Sequence, residues 1–234
     1  MIKKLTFQAR YACLLSLFLL PSYGALITYS DRPTFNSAAP GLPTETFASG
    51  LVAPMSVTTC TGPLSSTRGD ACFPTGSLLP GVVYSATGTG GGSMAVIGTG
   101  FSGLSNTNNL LGPNIFGDTF NLAFTQASAV GFDVFAGQNA GNVLISVYNP
   151  MNALLGAFTV SAPMTGTFFG VTSNAGLIGS ITILSQAVPP GEVITNLSFG
   201  VSNSAVPEPC SLLLSGAGFI GIVLWRRQKR SPRS

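Results

Sequence analysis

The sequence predicts an all-β fold, a two-sheet β-sandwich or jelly roll, flanked by an N-terminal signal peptide and one C-terminal transmembrane helix. Three observations predict it. Short runs of Val, Ile, Phe and Thr recur through the middle of the 234-residue chain, divided by Gly, Asn and Pro, with no sustained 3.6-residue apolar period. Charged residues make up 7% of the chain, against roughly 25% in an average soluble protein, while the apolar content is that of a chain with a packed core. Each end joins an apolar stretch to a basic cluster.

Taken in chain order, the first element is a signal peptide over residues 1–24. A basic stretch (Met1 to Arg10) precedes an apolar run (Tyr11 to Leu20) and a short polar segment, Pro21-Ser22-Tyr23-Gly24-Ala25. Small residues at Ser22 and Gly24 suit the pockets of a signal peptidase, placing cleavage after Gly24, with Ala25 as the alternative. The apolar run of about ten residues is short of the ~20 needed to span a bilayer, which favours cleavage over an uncleaved anchor. Export by the Sec translocon follows.

The span 25–205 is expected to be the ectodomain. It opens with a single helical turn, Arg32 to Ala39, for which Asp31 offers an N-cap and Pro33 an early helical position. Ten strands are expected: Ser56 to Cys60, Val82 to Ala86, Met94 to Ile97, Thr119 to Phe124, Ala129 to Phe135, Val143 to Tyr148, Ala153 to Val160, Thr167 to Val171, Gly179 to Leu184 and Val193 to Phe199. Val130, Phe132 and Val134 alternate on one face, and Val143, Ile145 and Val147 on another, so both faces should be core. Asn149-Pro150-Met151-Asn152 reads as a hairpin connection, and the glycine-rich Thr87 to Ser93 as a flexible hairpin loop. That loop lacks the lysine and the following helix of a phosphate loop. Cys60 and Cys72 are the two cysteines of this span, and a disulfide between them suits an oxidising compartment.

Of the ten basic residues only Arg32 and Arg68 lie within 25–205, together with six of the seven acids, so this span is net −4. With no lysine it has no basic stripe for phosphates, and no nucleic-acid partner is expected. Cys210 to Trp225 then forms an uncharged apolar stretch, read as a transmembrane helix over 210–225. It is about 24 Å long, which suits a transient sorting helix. The basic residues Arg226, Arg227, Lys229 and Arg230 within 226–234 act as a cytoplasmic stop and place 26–205 across the membrane from the cytoplasm.

Val206-Pro207-Glu208-Pro209 stands directly before that stretch. The order of this motif, an apolar helix and an Arg-rich segment over 206–234 resembles the PEP-CTERM sorting tail of exported proteins from Gram-negative bacteria that make exopolysaccharide. The resemblance implies recognition at Val206, Pro207, Glu208 and Pro209 by an exosortase, a membrane-embedded transpeptidase. It also implies transient inner-membrane anchoring followed by display at the cell surface or in the extracellular matrix, as in a biofilm. Two prolines hold such a segment extended and accessible. Residues 115–200, with Gly131-Phe132-Asp133-Val134-Phe135 and Ile194 to Gly200, resemble the β-sandwich ectodomains that accompany this tail. Those domains commonly carry an Asp-Asn pair in the last strand where this chain has Thr195-Asn196, so the resemblance carries no ligand role over to that pair.

Histidine is absent, which removes the usual general base and the commonest metal ligand. A non-enzymatic surface or matrix protein is therefore expected, without cofactor, catalytic residue or metal site, and with exopolysaccharide as the expected ligand. Tyr84, Phe101, Phe116 and Tyr148 are aromatics that could stack on sugars, though core positions suit them better. The alternative is a secreted carbohydrate-active enzyme using two carboxylates. Asp31, Glu45, Asp70, Asp118, Asp133 and Glu192 are its candidates, but no spacing pairs them and each reads as a solvated loop or turn residue.

Overall fold

The computed structural model describes residues 26–202 apart from Gln138, Ala175 and Pro189. The signal-cleavage residues Ser22, Gly24 and Ala25, the sorting motif Val206 to Pro209, the expected helix 210–225 and the basic stop lie outside the described residues. Among the described residues no helix is long and apolar enough to cross a membrane.

Among the described residues fourteen strands form two antiparallel sheets, accompanied by one α-helix. In chain order they are β1 (Leu26–Tyr29), α1 (Arg32–Ala38), β2 (Thr44–Glu45), β3 (Val57–Cys60), β4 (Leu64–Ser65), β5 (Val82–Thr87), β6 (Met94–Ile97), β7 (Leu110–Pro113), β8 (Thr119–Phe124), β9 (Ala129–Phe135), β10 (Gly141–Tyr148), β11 (Leu154–Ala162), β12 (Thr167–Ser173), β13 (Ser180–Ser185) and β14 (Val193–Gly200). The larger sheet runs β1-β12-β9-β14-β7-β6-β3, with β2 also on β14; the smaller runs β11-β10-β13-β8-β5-β4. The ten expected strands are all present. The four additional ones, β1, β2, β4 and β7, are two to four residues long. They exist because neighbouring strands supply their hydrogen bonds: β12 for β1, β14 for β2 and β7, and β5 for β4.

The core lies between the sheets. Val130, Phe132 and Val134 of β9 face Val143, Ile145 and Val147 of β10, and all six are fully buried. Each such side chain contributes roughly 1.5–3 kcal/mol by leaving water. The hairpin β10–β11 turns at Asn149, whose side-chain Oδ1 accepts from the N–H groups of Met151 and Ala153, both at 2.9 Å. Cys60 and Cys72 form a disulfide with Cα atoms 5.5 Å apart. Asp70 shapes the loop between them, accepting from Thr61, Cys72 and Phe73 N–H groups. Cys60, Asp70 and Cys72 also form the cluster of potential metal-ligand types among the described residues, but the disulfide occupies both sulfurs.

The segment Thr87 to Ser93 is not a hairpin loop. It carries the chain from β5 in the smaller sheet to β6 in the larger one. Its backbone does cradle an anion, as glycine-rich loops do, but the anion is internal. Asp118 Oδ1 accepts from Thr89 N–H at 2.7 Å and Oδ2 from Gly90 N–H at 2.7 Å. Gly88, at φ +154°, leaves room for the carboxylate that any Cβ would fill.

Helix α1 begins at Asp31, whose Oδ1 accepts from Thr34 N–H at 2.9 Å, as an N-cap should. It lies on the outer face of the larger sheet, where Phe35 sits over Gly131 and Gly170, paired glycines whose missing Cβ atoms make room for its ring. A second apolar cluster covers the same face further along β9: Ile97, Leu104, Leu110, Phe135 and Val193, joined by Phe101 from the segment after β6.

Candidate functional site

Three residues of β9 point outward in succession: Gly131, Asp133 and Phe135. The first lies under α1 and the last belongs to the second apolar cluster. Asp133 occupies the gap between the two coverings, and there the outer face opens into a pocket of about 180 Å3. Thr195 pairs with Asp133 across β14, and the next residue, Asn196, sits at φ +50° where the β14–β9 register shifts. This is a β-bulge, and its effect is visible in the burial pattern. Ile194 and Leu197, three apart, both enter the core, leaving Thr195 and Asn196 to line the pocket.

A polar network crosses the pocket floor and ties the two coverings together. Asp133 Oδ1 lies 3.0 Å from Arg32 Nη2 of α1, and its Oδ2 accepts from Asn196 Nδ2 at 2.6 Å. Asn196 Oδ1 accepts from Asn108 Nδ2 at 2.7 Å, bringing in the segment after β6. Arg32 also donates to the Asn196 carbonyl at 2.9 Å and to Ser198 Oγ at 3.3 Å, and its guanidinium lies 4.6 Å from the centre of the Phe168 ring. Asn106 braces the wall, accepting from Gly100 N–H and donating to the Asn108 carbonyl. Thr107, Thr165, Thr167 and Phe168 also line the pocket, Phe168 opposite Asp133 on the outer face. Thr195 is 3% exposed, and its hydroxyl has no hydrogen-bond partner. Such a group costs about 1–3 kcal/mol when left unsatisfied.

The six candidate acids fall into different places. Glu45, Asp118 and Glu192 are buried, which corrects their reading as solvated loop residues. Glu45 Oε1 accepts from Phe47 N–H and Oε2 from Leu79 N–H, each at 2.8 Å. Asp118 and Glu192 influence one another electrostatically although no sequence spacing paired them. Glu192 is fully buried; burial, reinforced by the negative charge of Asp118 and opposed by the Ser185 N–H, pushes its carboxyl up to about 8. Of the aromatics considered for stacking, Tyr84 is fully buried in the core and offers no face to a ligand, while Phe101 packs, partly buried, against the second apolar cluster. Phe168, which does line the pocket, was not among them.

Residues 205–228 match the PEP-CTERM protein-sorting motif. No curated protein matches the chain. Among solved structures, a mutant CBM29-2, a family 29 carbohydrate binding module, shares 17% identity over 65% of this chain and 99% of that one, with a TM-score of 0.34. Another CBM29-2 mutant, complexed with cellulohexaose, shares 18% identity over 64% of this chain and 96% of that one, also at 0.34. The chain thus carries a PEP-CTERM protein-sorting motif at 205–228, which implies an exosortase as its sorting partner.

Proposed function

We propose that this chain is an exosortase-sorted cell-surface or extracellular-matrix protein of a Gram-negative exopolysaccharide producer, non-enzymatic, whose sandwich binds glycan. In this reading residues 1–24 are a signal peptide removed after Sec export, 25–205 form the ectodomain, and 206–234 hold the protein in the inner membrane until an exosortase acts. The sorting motif carries the first half of the proposal. The pocket around Asp133 carries the second: hydroxyls, a carboxylate and an aromatic ring converge in a depression between two apolar coverings, which is the chemistry a polyhydroxylated ligand requires.

The rival reading, a carbohydrate-active enzyme, needs two carboxylates facing one accessible bond. Asp118 and Glu192 are buried, and the oxygens of Asp118 are taken up by Thr89 and Gly90. Asp133 is the single acid lining the pocket. These placements support a binding role. Retention of the full-length protein on a panel of immobilised bacterial exopolysaccharides, with the soluble products assayed for new reducing ends, tests the proposal. Retention without new reducing ends is expected; release of reducing ends would make the protein an enzyme, and absence of retention would remove the glycan role.

A further inference from the structure

Resting on the glycan reading, we propose that the Asp133 pocket binds one neutral sugar ring, the terminal unit of a glycan chain, without a metal ion. The size follows from the volume. A volume of about 180 Å3 suits one pyranose ring, and because the pocket is open at its mouth the rest of a glycan chain would lie outside it. Neutrality follows from the charges. The pocket holds one carboxylate, Asp133, and the guanidinium beside it is already committed to Asp133, the Asn196 carbonyl, Ser198 and the Phe168 ring. Span 25–205 has no lysine and one other arginine, Arg68. Arg68 does not line the pocket, so an anionic sugar would meet Asp133 with no spare positive charge to offset it.

The polar inventory then selects hydroxyl groups. Each Asp133 oxygen accepts one donor from the protein and retains lone-pair capacity for an incoming O–H. Thr195, beside it on β14, keeps a buried hydroxyl that no protein group satisfies, in a wall where Asn106 and Asn196 are hydrogen-bonded to the protein. A hydroxyl left unsatisfied lowers the stability of the free protein, and a ligand O–H reaching it recovers that loss. Thr107 and Thr165, both exposed, are further hydroxyl-bearing residues of the lining. One carboxylate and no histidine make a poor cation site, so the sugar is held without a bridging metal ion.

The test uses the full chain in a zwitterionic detergent free of sugar headgroups, titrated calorimetrically with methyl glycosides of glucose, galactose, mannose and N-acetylglucosamine and with methyl glucuronide, each with and without EDTA. Saturable one-to-one binding of at least one neutral glycoside, unchanged by EDTA and stronger than that of the glucuronide, is expected. Thr165→Trp places a large ring at the exposed mouth and should abolish binding. Thr195→Val preserves shape and removes the unsatisfied hydroxyl; it should weaken binding about tenfold with a thermal midpoint no lower than that of the wild type. Equal or tighter glucuronide binding, loss of binding in EDTA, no binding of any glycoside, or unchanged binding in Thr165→Trp would overturn the proposal. The same variants on immobilised polysaccharide separate the two claims. Retention that ignores Thr165→Trp refutes the pocket alone, whereas absence of retention in the wild type refutes the glycan reading beneath it.

Discussion

Replacing Glu192 with glutamine should make this domain more stable at pH 8 than the native sequence does, and the gain should vanish in acid. Glu192 is fully buried, one of its oxygens accepts from Ser185 N–H at 3.2 Å, and the other has no partner. Its carboxyl is held at about 8 against an ordinary 4.5. Below pH 4.5 the group is protonated in both folded and unfolded chains, so its stability contribution is fully present. As the pH rises toward 8 the unfolded chain releases this proton while the folded chain keeps it, and stability falls; beyond the folded value the loss is complete. A displacement of that size corresponds to on the order of 4 to 5 kcal/mol at most. Glutamine never ionises, retains an acceptor for Ser185 and places an amide donor where the protonated oxygen stands. Urea denaturation of both proteins between pH 4 and pH 9 should give curves that coincide in acid and diverge steadily to pH 8, with Glu192→Gln the more stable. Parallel curves, or a variant that loses stability most at high pH, would show that Glu192 ionises normally in the fold and refute the reasoning.

Other consequences follow from particular contacts. Cys60→Ser with Cys72→Ser, or reduction of the native pair, should cost about 3 kcal/mol on the loop-entropy estimate, read as a lowered urea midpoint. Gly88→Ala should cost about 2 to 4 kcal/mol, because the new Cβ collides with the Asp118 carboxylate and occupies a strained backbone conformation; Gly41→Ala, also at positive φ but with open space around it, should cost less. Phe35→Ala should cost about 3 kcal/mol and loosen α1 from Gly131 and Gly170, measured by thermal denaturation and by faster amide exchange in residues 32–38.

Much of the fold was legible because alternation is a local signal. Val130, Phe132 and Val134 share a face in any antiparallel strand, and Asp31 followed by Pro33 marks a helix start wherever it stands. The short strands were not, since Thr44–Glu45 and Leu64–Ser65 become strands only when β14 and β5 are beside them. The pocket was hidden for the same reason. Arg32, Asp133, Thr195 and Asn108 are far apart in sequence and meet through the packing of α1 and the pairing of β9 with β12 and β14. One clue did exist. The alternation of β14 stumbles between Ile194 and Leu197, the mark of a bulge, and a bulge re-aims side chains. The burial of Glu45, Asp118 and Glu192 left no comparable trace, because isolated acids between apolar runs look alike whether they face water or backbone N–H groups.

The central claim is that the exported domain is sorted through its PEP-CTERM motif, and the most direct test is the intact mass of the protein recovered from the host's envelope and medium, for the native sequence and for Glu208→Ala. The expected native product lacks residues 1–24 and the segment following the Val206 to Pro209 motif, and the Glu208→Ala product keeps that segment. The same C-terminal mass in both, with residues 210–234 retained, would contradict it and leave a membrane-anchored ectodomain that no exosortase processes.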